Sequence, residues 1–89
     1  MPEITVTIHH PAGLHARPAA LFVQTAQRFA STVEVRLGER RANGKSILSI
    51  LTLGANQGAS VTIAAEGDDA QQALASLQAL VESDFEERR

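Results

Sequence analysis

Ser46-Ile47-Leu48-Ser49-Ile50-Leu51-Thr52-Leu53-Gly54 is the stretch on which the fold turns. Ile47, Leu48, Ile50, Leu51 and Leu53 suit either a strand core or a short helix, and periodicity does not separate the two at this length. The preceding Asn43-Gly44 is a hairpin dipeptide and favours a strand. Ser46 as an N-cap and Gly54 as a C-terminal stop favour a helix. The residues alone leave both readings open.

The flanking segments are less ambiguous. Ile4, Val6 and Ile8 alternate with Glu3, Thr5 and Thr7, the pattern of a half-buried strand. Ala19, Phe22, Val23 and Ala26 then recur at helical spacing with Gln24, Gln27 and Arg28 opposite, which predicts a helix from about Ala16 to Arg28, with Phe29 closing its apolar stripe. Val33, Val35 and Leu37 alternate with Glu34 and Arg36 as a second strand, and Gly38-Glu39 turns the chain into a short third strand near Arg40 to Ala42. A fourth strand spans Ser60 to Ala65, with Val61 and Ile63 facing the core. Asp68 and Asp69 offer N-caps, Gln71 or Gln72 completes a capping box, and a last helix buries Ala70, Ala73, Leu74, Leu77 and Val81. Helices with apolar stripes on one side of an alternating sheet predict a two-layer α+β domain.

Eighty-nine residues allow a single domain over 1–89 with one modest core. Apolar residues make up 44% of the chain but aromatics only 3%, so Val, Ile, Leu and Ala must build that core. A net charge of −2 argues against a nucleic-acid-binding surface. With no cysteine there is neither a disulfide framework nor a thiolate metal site. No apolar run approaches the ~20 residues of a membrane span, and no signal-peptide pattern opens the chain. A soluble, cytoplasmic protein without direct membrane binding is expected, frayed only at Glu86-Glu87-Arg88-Arg89.

The chemistry concentrates in Gly13-Leu14-His15-Ala16-Arg17-Pro18-Ala19-Ala20. Pro18 fits a first turn, where its missing N–H costs nothing. His15 therefore falls at or near the N-cap, where Ser, Thr, Asp or Asn would normally satisfy free amides. A helix start favours anions, and phosphate above all. Arg17 adds a guanidinium suited to two-pronged contact with phosphate oxygens. Histidine, with an unperturbed pKa of ~6.5, supplies a largely neutral nitrogen nucleophile beside that anion site, as phosphorylation on nitrogen requires. The bland alternative is an exposed histidine beside a solvated arginine. His9 and His10 could join His15 in a three-histidine metal site. However, adjacent strand-end residues point to opposite faces, so solvent-exposed loop histidines and no metal are expected.

This motif resembles the phosphorylation-site signature of the HPr family, the histidine-containing phosphocarriers of the bacterial phosphoenolpyruvate-dependent sugar phosphotransferase system. Asn43-Gly44-Lys45-Ser46-Ile47-Leu48, Leu53-Gly54, Gln57-Gly58-Ala59 and Thr62-Ile63-Ala64-Ala65-Glu66-Gly67 resemble further family segments, so the likeness spans the chain. It implies a short helix after Ser46 and the order βαββαβα. It also implies an open-faced sandwich, a four-stranded antiparallel sheet of order 1-4-2-3 with the helices on one face.

The resemblance also implies a function. His15 would accept a phosphoryl group at Nδ1 from Enzyme I and pass it to sugar-specific IIA domains. Arg17 and the backbone at Ala16 and Arg17 would hold the phosphoryl oxygens, and Pro18 would fix the first turn. Such a protein is a stoichiometric carrier rather than an enzyme, needs no cofactor, and is expected to be a monomer. Partner docking is implied for Ile47, Leu48 and Leu51, bordered by Ala20 and Gln24. In Gram-positive members a serine kinase/phosphorylase acts at the position of Ser46 and a transcriptional regulator is a further partner, although Ser49 departs from the glycine common in that subgroup. Otherwise Ser46 is a helix cap alone. Ala12 departs from the polar residue common at its position. The rival reading is a regulatory interaction protein of the same fold, either a Ser46-controlled corepressor or a nitrogen-branch signalling member. The initial methionine and charged terminus favour a free-standing chain over a domain of a longer phosphotransferase.

Overall fold

The decisive stretch is helical. A computed structural model describes residues 2–11, 13, 16–83 and 85; Ala12, His15 and the tail 86–89 lie outside them. The elements are β1 (Glu3–Thr7), α1 (Ala16–Ala26), β2 (Thr32–Leu37), β3 (Arg40–Asn43), α2 (Ile47–Leu53), β4 (Ser60–Glu66) and α3 (Ala70–Glu82). The helix predicted to Arg28 thus ends two residues earlier, and β3 and β4 each run one residue further than expected.

The ends of α2 explain its conformation. Ser46 is the N-cap, in extended geometry, and its hydroxyl accepts a bond from the Ser49 amide at 3.3 Å. Gly54 closes the helix at φ 73°, a left-handed angle that glycine adopts without strain. The Arg40 guanidinium donates to the Leu53 carbonyl at 3.0 Å, which satisfies one of the acceptors left over at a helix end. Asn43-Gly44 makes no hairpin. The Asn43 side chain accepts from the Lys45 amide at 3.0 Å, and the Gly44 amide donates to the Val33 carbonyl at 2.7 Å, so the dipeptide turns β3 into α2.

All strand pairs are antiparallel and the sheet order is β1-β4-β2-β3, with the three helices on one face. The register aligns Ile4, Ile63, Val35 and Ala42 across four strands on the covered face. Glu3, Ala64, Glu34 and Asn43 align on the open one. Strand alternation therefore sorts the sheet into a dry and a wet side. The dry side meets Ala19, Phe22, Val23 and Ala26 from α1, and Ala70, Ala73, Leu74, Leu77 and Val81 from α3, all buried as the spacing predicts. On the wet side Arg36 pairs with Glu3 and lies 3.4 Å from Glu34.

One predicted bond is replaced. Asp69 occupies the N-cap position of α3, but its side chain makes no capping bond and no capping box forms. Its carboxylate reaches instead across the fold to the turn after α1. It accepts from the Ala30 amide at 2.8 Å, the Ser31 amide at 2.9 Å and the Ser31 hydroxyl. Three donors to one ionised group are worth more than a single local cap, and they fasten α3 to the end of α1.

Those bonds, the Ser31 hydroxyl first and the Ala30 amide second, hold the Asp69 carboxyl below its ordinary pKa. A depressed native pKa means stabilisation that is complete above the unfolded value of about 3.9 and is lost as pH falls through the lower native value. Asp69→Asn should therefore be less stable than the parent at neutral pH. The gap in denaturant midpoint should close in acid, below about pH 4.

Candidate functional site

The site is built around the start of α1. The helix begins at Ala16, directly after His15 in the chain, and its first turn holds no acidic residue. Arg17 is exposed in that turn, whereas Pro18 is buried. Amides at a helix start have no acceptor one turn back, and the peptide dipoles sum there to a partial positive charge. With an arginine in an acid-free first turn, this end of α1 is suited to an anion such as phosphate. Ala20 is half-buried and Gln24 exposed, four residues apart along one side of the same helix.

Neighbouring loops hold the approach to this helix. The β1–β4 ladder continues past the strands, with the Ile8 amide donating to Ala59 at 2.8 Å and the Gly58 amide to Ile8 at 2.7 Å. Gln57 Nε2 donates to the His9 carbonyl at 3.2 Å, and the Gly13 amide closes a turn onto the His10 carbonyl at 2.9 Å. Gly13 is buried at φ 69°. A Cβ there would stand 2.6 Å from the Ala55 carbonyl oxygen and 2.8 Å from Asn56 Cα. Only glycine lets the two loops meet so closely. The motif drew attention to Gly13, but its partners Ala55 and Asn56 carry no signal in the sequence.

The helix α2 contributes an apolar surface. Ile50 and Leu53 are buried, whereas Ile47 is 43% exposed, Leu48 72% and Leu51 37%. Seven residues make about two turns, so one stripe reaches the core and the others face water. The α1 and α2 helices pack together. Gln27 Nε2 donates to the Lys45 carbonyl at 3.3 Å, and Lys45 Nζ to the Phe29 carbonyl at 2.6 Å. The candidate docking residues on the two helices thus belong to one fastened pair. Ser46 is half-buried and its hydroxyl is engaged as the cap. No group of three His, Cys, Asp or Glu able to hold a metal is found among the described residues.

A family profile, the PTS HPr component phosphorylation site, matches residues 2–83. The chain belongs to the HPr family. The crystal structure of HPr-C-His from Thermoanaerobacter tengcongensis superposes with a TM-score of 0.94 at 48% identity, covering 100% of both chains. HPr-like protein Crh of Bacillus subtilis is 42% identical over 84 residues, covering 94% of this chain and 99% of that protein. It has been solved as a dimer. The multiphosphoryl transfer protein of Xanthomonas campestris pv. campestris is 43% identical over 77 residues, 86% of this chain but 9% of that much longer protein. The HPr family is one of phosphocarriers, and the order 1-4-2-3 with helices on one face is its open-faced sandwich.

Two substitutions test this geometry. Gly13→Ala combines an unfavourable positive φ with a backbone clash and should cost about 2 kcal/mol or more in denaturant unfolding. Ser46→Ala removes only a cap bond and should cost about 1 kcal/mol by the same measurement.

Proposed function

We propose that the chain is a phosphoryl carrier of the sugar phosphotransferase system. His15 is the acceptor, Enzyme I the donor and a sugar-specific IIA domain the recipient. The observation that supports this most directly is the start of α1 at Ala16, next to His15 in the chain, with Arg17 exposed in an acid-free first turn. A neutral imidazole nitrogen attacks phosphorus, and the N–P bond forms as the bond to the donor breaks. Arg17 and the amides of Ala16 and Arg17 hold the phosphoryl oxygens, and Pro18 keeps the first turn in place. The carrier turns over no substrate of its own and takes no cofactor. The exposed Ile47, Leu48 and Leu51, with Ala20 and Gln24 beside them, form the surface on which Enzyme I and IIA domains dock in turn. A single-domain, cytoplasmic monomer fits this role, since both partners need the same face.

The likeness to Crh, a regulatory relative in name and a dimer in structure, favours a second reading in which binding rather than carriage is the main task. There Ser46 would be the control point, a phosphate replacing its hydroxyl cap at the start of α2 and engaging a serine kinase/phosphorylase and a transcriptional regulator. The histidine at position 15 supports carriage over this alternative.

Incubation with phosphoenolpyruvate and a cognate Enzyme I, followed by intact-mass analysis before and after mild acid, separates the two. The carrier gains one acid-labile phosphoryl group that His15→Ala does not gain. No incorporation would sink the carrier reading and move the weight to Ser46. Arg17→Gln should keep the acceptor but slow transfer by about 10- to 100-fold, the size of a lost charge-assisted hydrogen bond.

A further inference from the structure

On the carrier reading proposed above, we infer that Phe85 is a positioning residue for the loop that leads to His15, acting through His10. Phe85 has φ 61°, the one non-glycine with positive φ among the described residues. A glycine would adopt that backbone without strain, so a phenylalanine there is kept for its ring. The backbone is held by a bond from the Phe85 amide to the Leu80 carbonyl at 2.9 Å, just past the end of α3. The ring turns inward and is only 5% exposed. Its edge meets the His10 imidazole with the centroids 6.2 Å apart and the planes at 78°, a favoured T-shaped arrangement.

His10 is the residue whose carbonyl closes the turn onto Gly13. Residues 8–10 and 13 are thus held from two directions. The 55–59 segment holds them through Ile8, His9 and Gly13, and α3 holds them through Phe85 and His10. In-line phosphoryl transfer is sensitive to displacements well under 1 Å, so a contact that seats this turn acts on the chemical step. It lies on the loop rather than on α2, so partner affinity should be little affected.

Steady-state phosphorylation by Enzyme I and phosphoenolpyruvate, with the carrier concentration varied, tests this in the 89-residue chain. Phe85→Leu keeps an apolar side chain without the ring. It should lower kcat by about fivefold or more while KM stays within about twofold. His10→Ala should lower kcat similarly, and the double variant should be no slower than the slower single one, since either single variant already removes the Phe85–His10 contact. A folded Phe85→Leu with wild-type kcat, or losses that multiply in the double variant, would overturn the positioning role, leaving Phe85 as a core residue only. If Phe85→Leu does not fold, His10→Ala decides alone, because His10 is partly exposed; an unchanged kcat then overturns the role. A wild-type chain that takes no phosphate defeats the carrier reading and this role with it. A working wild type beside an unaffected variant defeats this role only.

Discussion

The antiparallel pairing of β1 with β4 is the constraint from which the site follows. Its register puts Val6 opposite Val61 and Ile4 opposite Ile63, all on the face that the helices cover. A slip of one residue would turn that whole set toward water, so the apolar faces hold the register firmly. Past Thr7 and Ser60 the ladder runs on through Ile8, Gly58 and Ala59. The loop after β1 is thereby delivered against the loop before β4, where Gln57 bonds the His9 carbonyl and Gly13 packs closely on Ala55 and Asn56.

A phosphoryl carrier makes unusual demands on a small protein. Its reactive group has to stay open to two partners in turn, so burial cannot hold it in place. On the carrier reading rigidity must come from the surroundings, and residues 8–10 and 13 are held by backbone hydrogen bonds, a glycine contact and an aromatic pair. None of these involves the exposed Ala16 and Arg17 at the start of α1. The proposed docking surface has a similar logic. Because α2 is only seven residues long, burying Ile50 and Leu53 leaves Ile47, Leu48 and Leu51 facing water beside α1. A contiguous apolar patch is tolerable on a monomer when a partner covers it. The Lys45 and Gln27 bonds tie the end of α1 to the start of α2.

Asp69 shows where local reasoning stops. Two acids before an apolar helical stripe predict a cap, and the position is indeed the N-cap of α3. Yet the carboxylate serves Ala30 and Ser31, nearly forty residues away in sequence, because three donors converge there. Asn43-Gly44 carries the same lesson in reverse. A strong hairpin signal became a turn into a helix once Val33 supplied an acceptor and Ser46 a cap.

The sequence by itself determined every element's type outside residues 46–54, the faces of both long helices, and the His15-Ala16-Arg17-Pro18 motif with its anion-seeking helix start. These are legible because hydrophobic periodicity, proline geometry and helix capping act between residues a few positions apart. Family likeness in the sequence supplied the conformation of 46–54 and the strand order. Only the tertiary structure decided that Gly13 and His9 are seated against Ala55, Asn56 and Gln57, that Asp69 reaches Ser31, and that Phe85 meets His10. Each of these joins residues more than thirty-five positions apart, and their meeting depends on strand register and helix docking. No local pattern encodes which distant partner a carboxylate, a ring or a bare glycine will find.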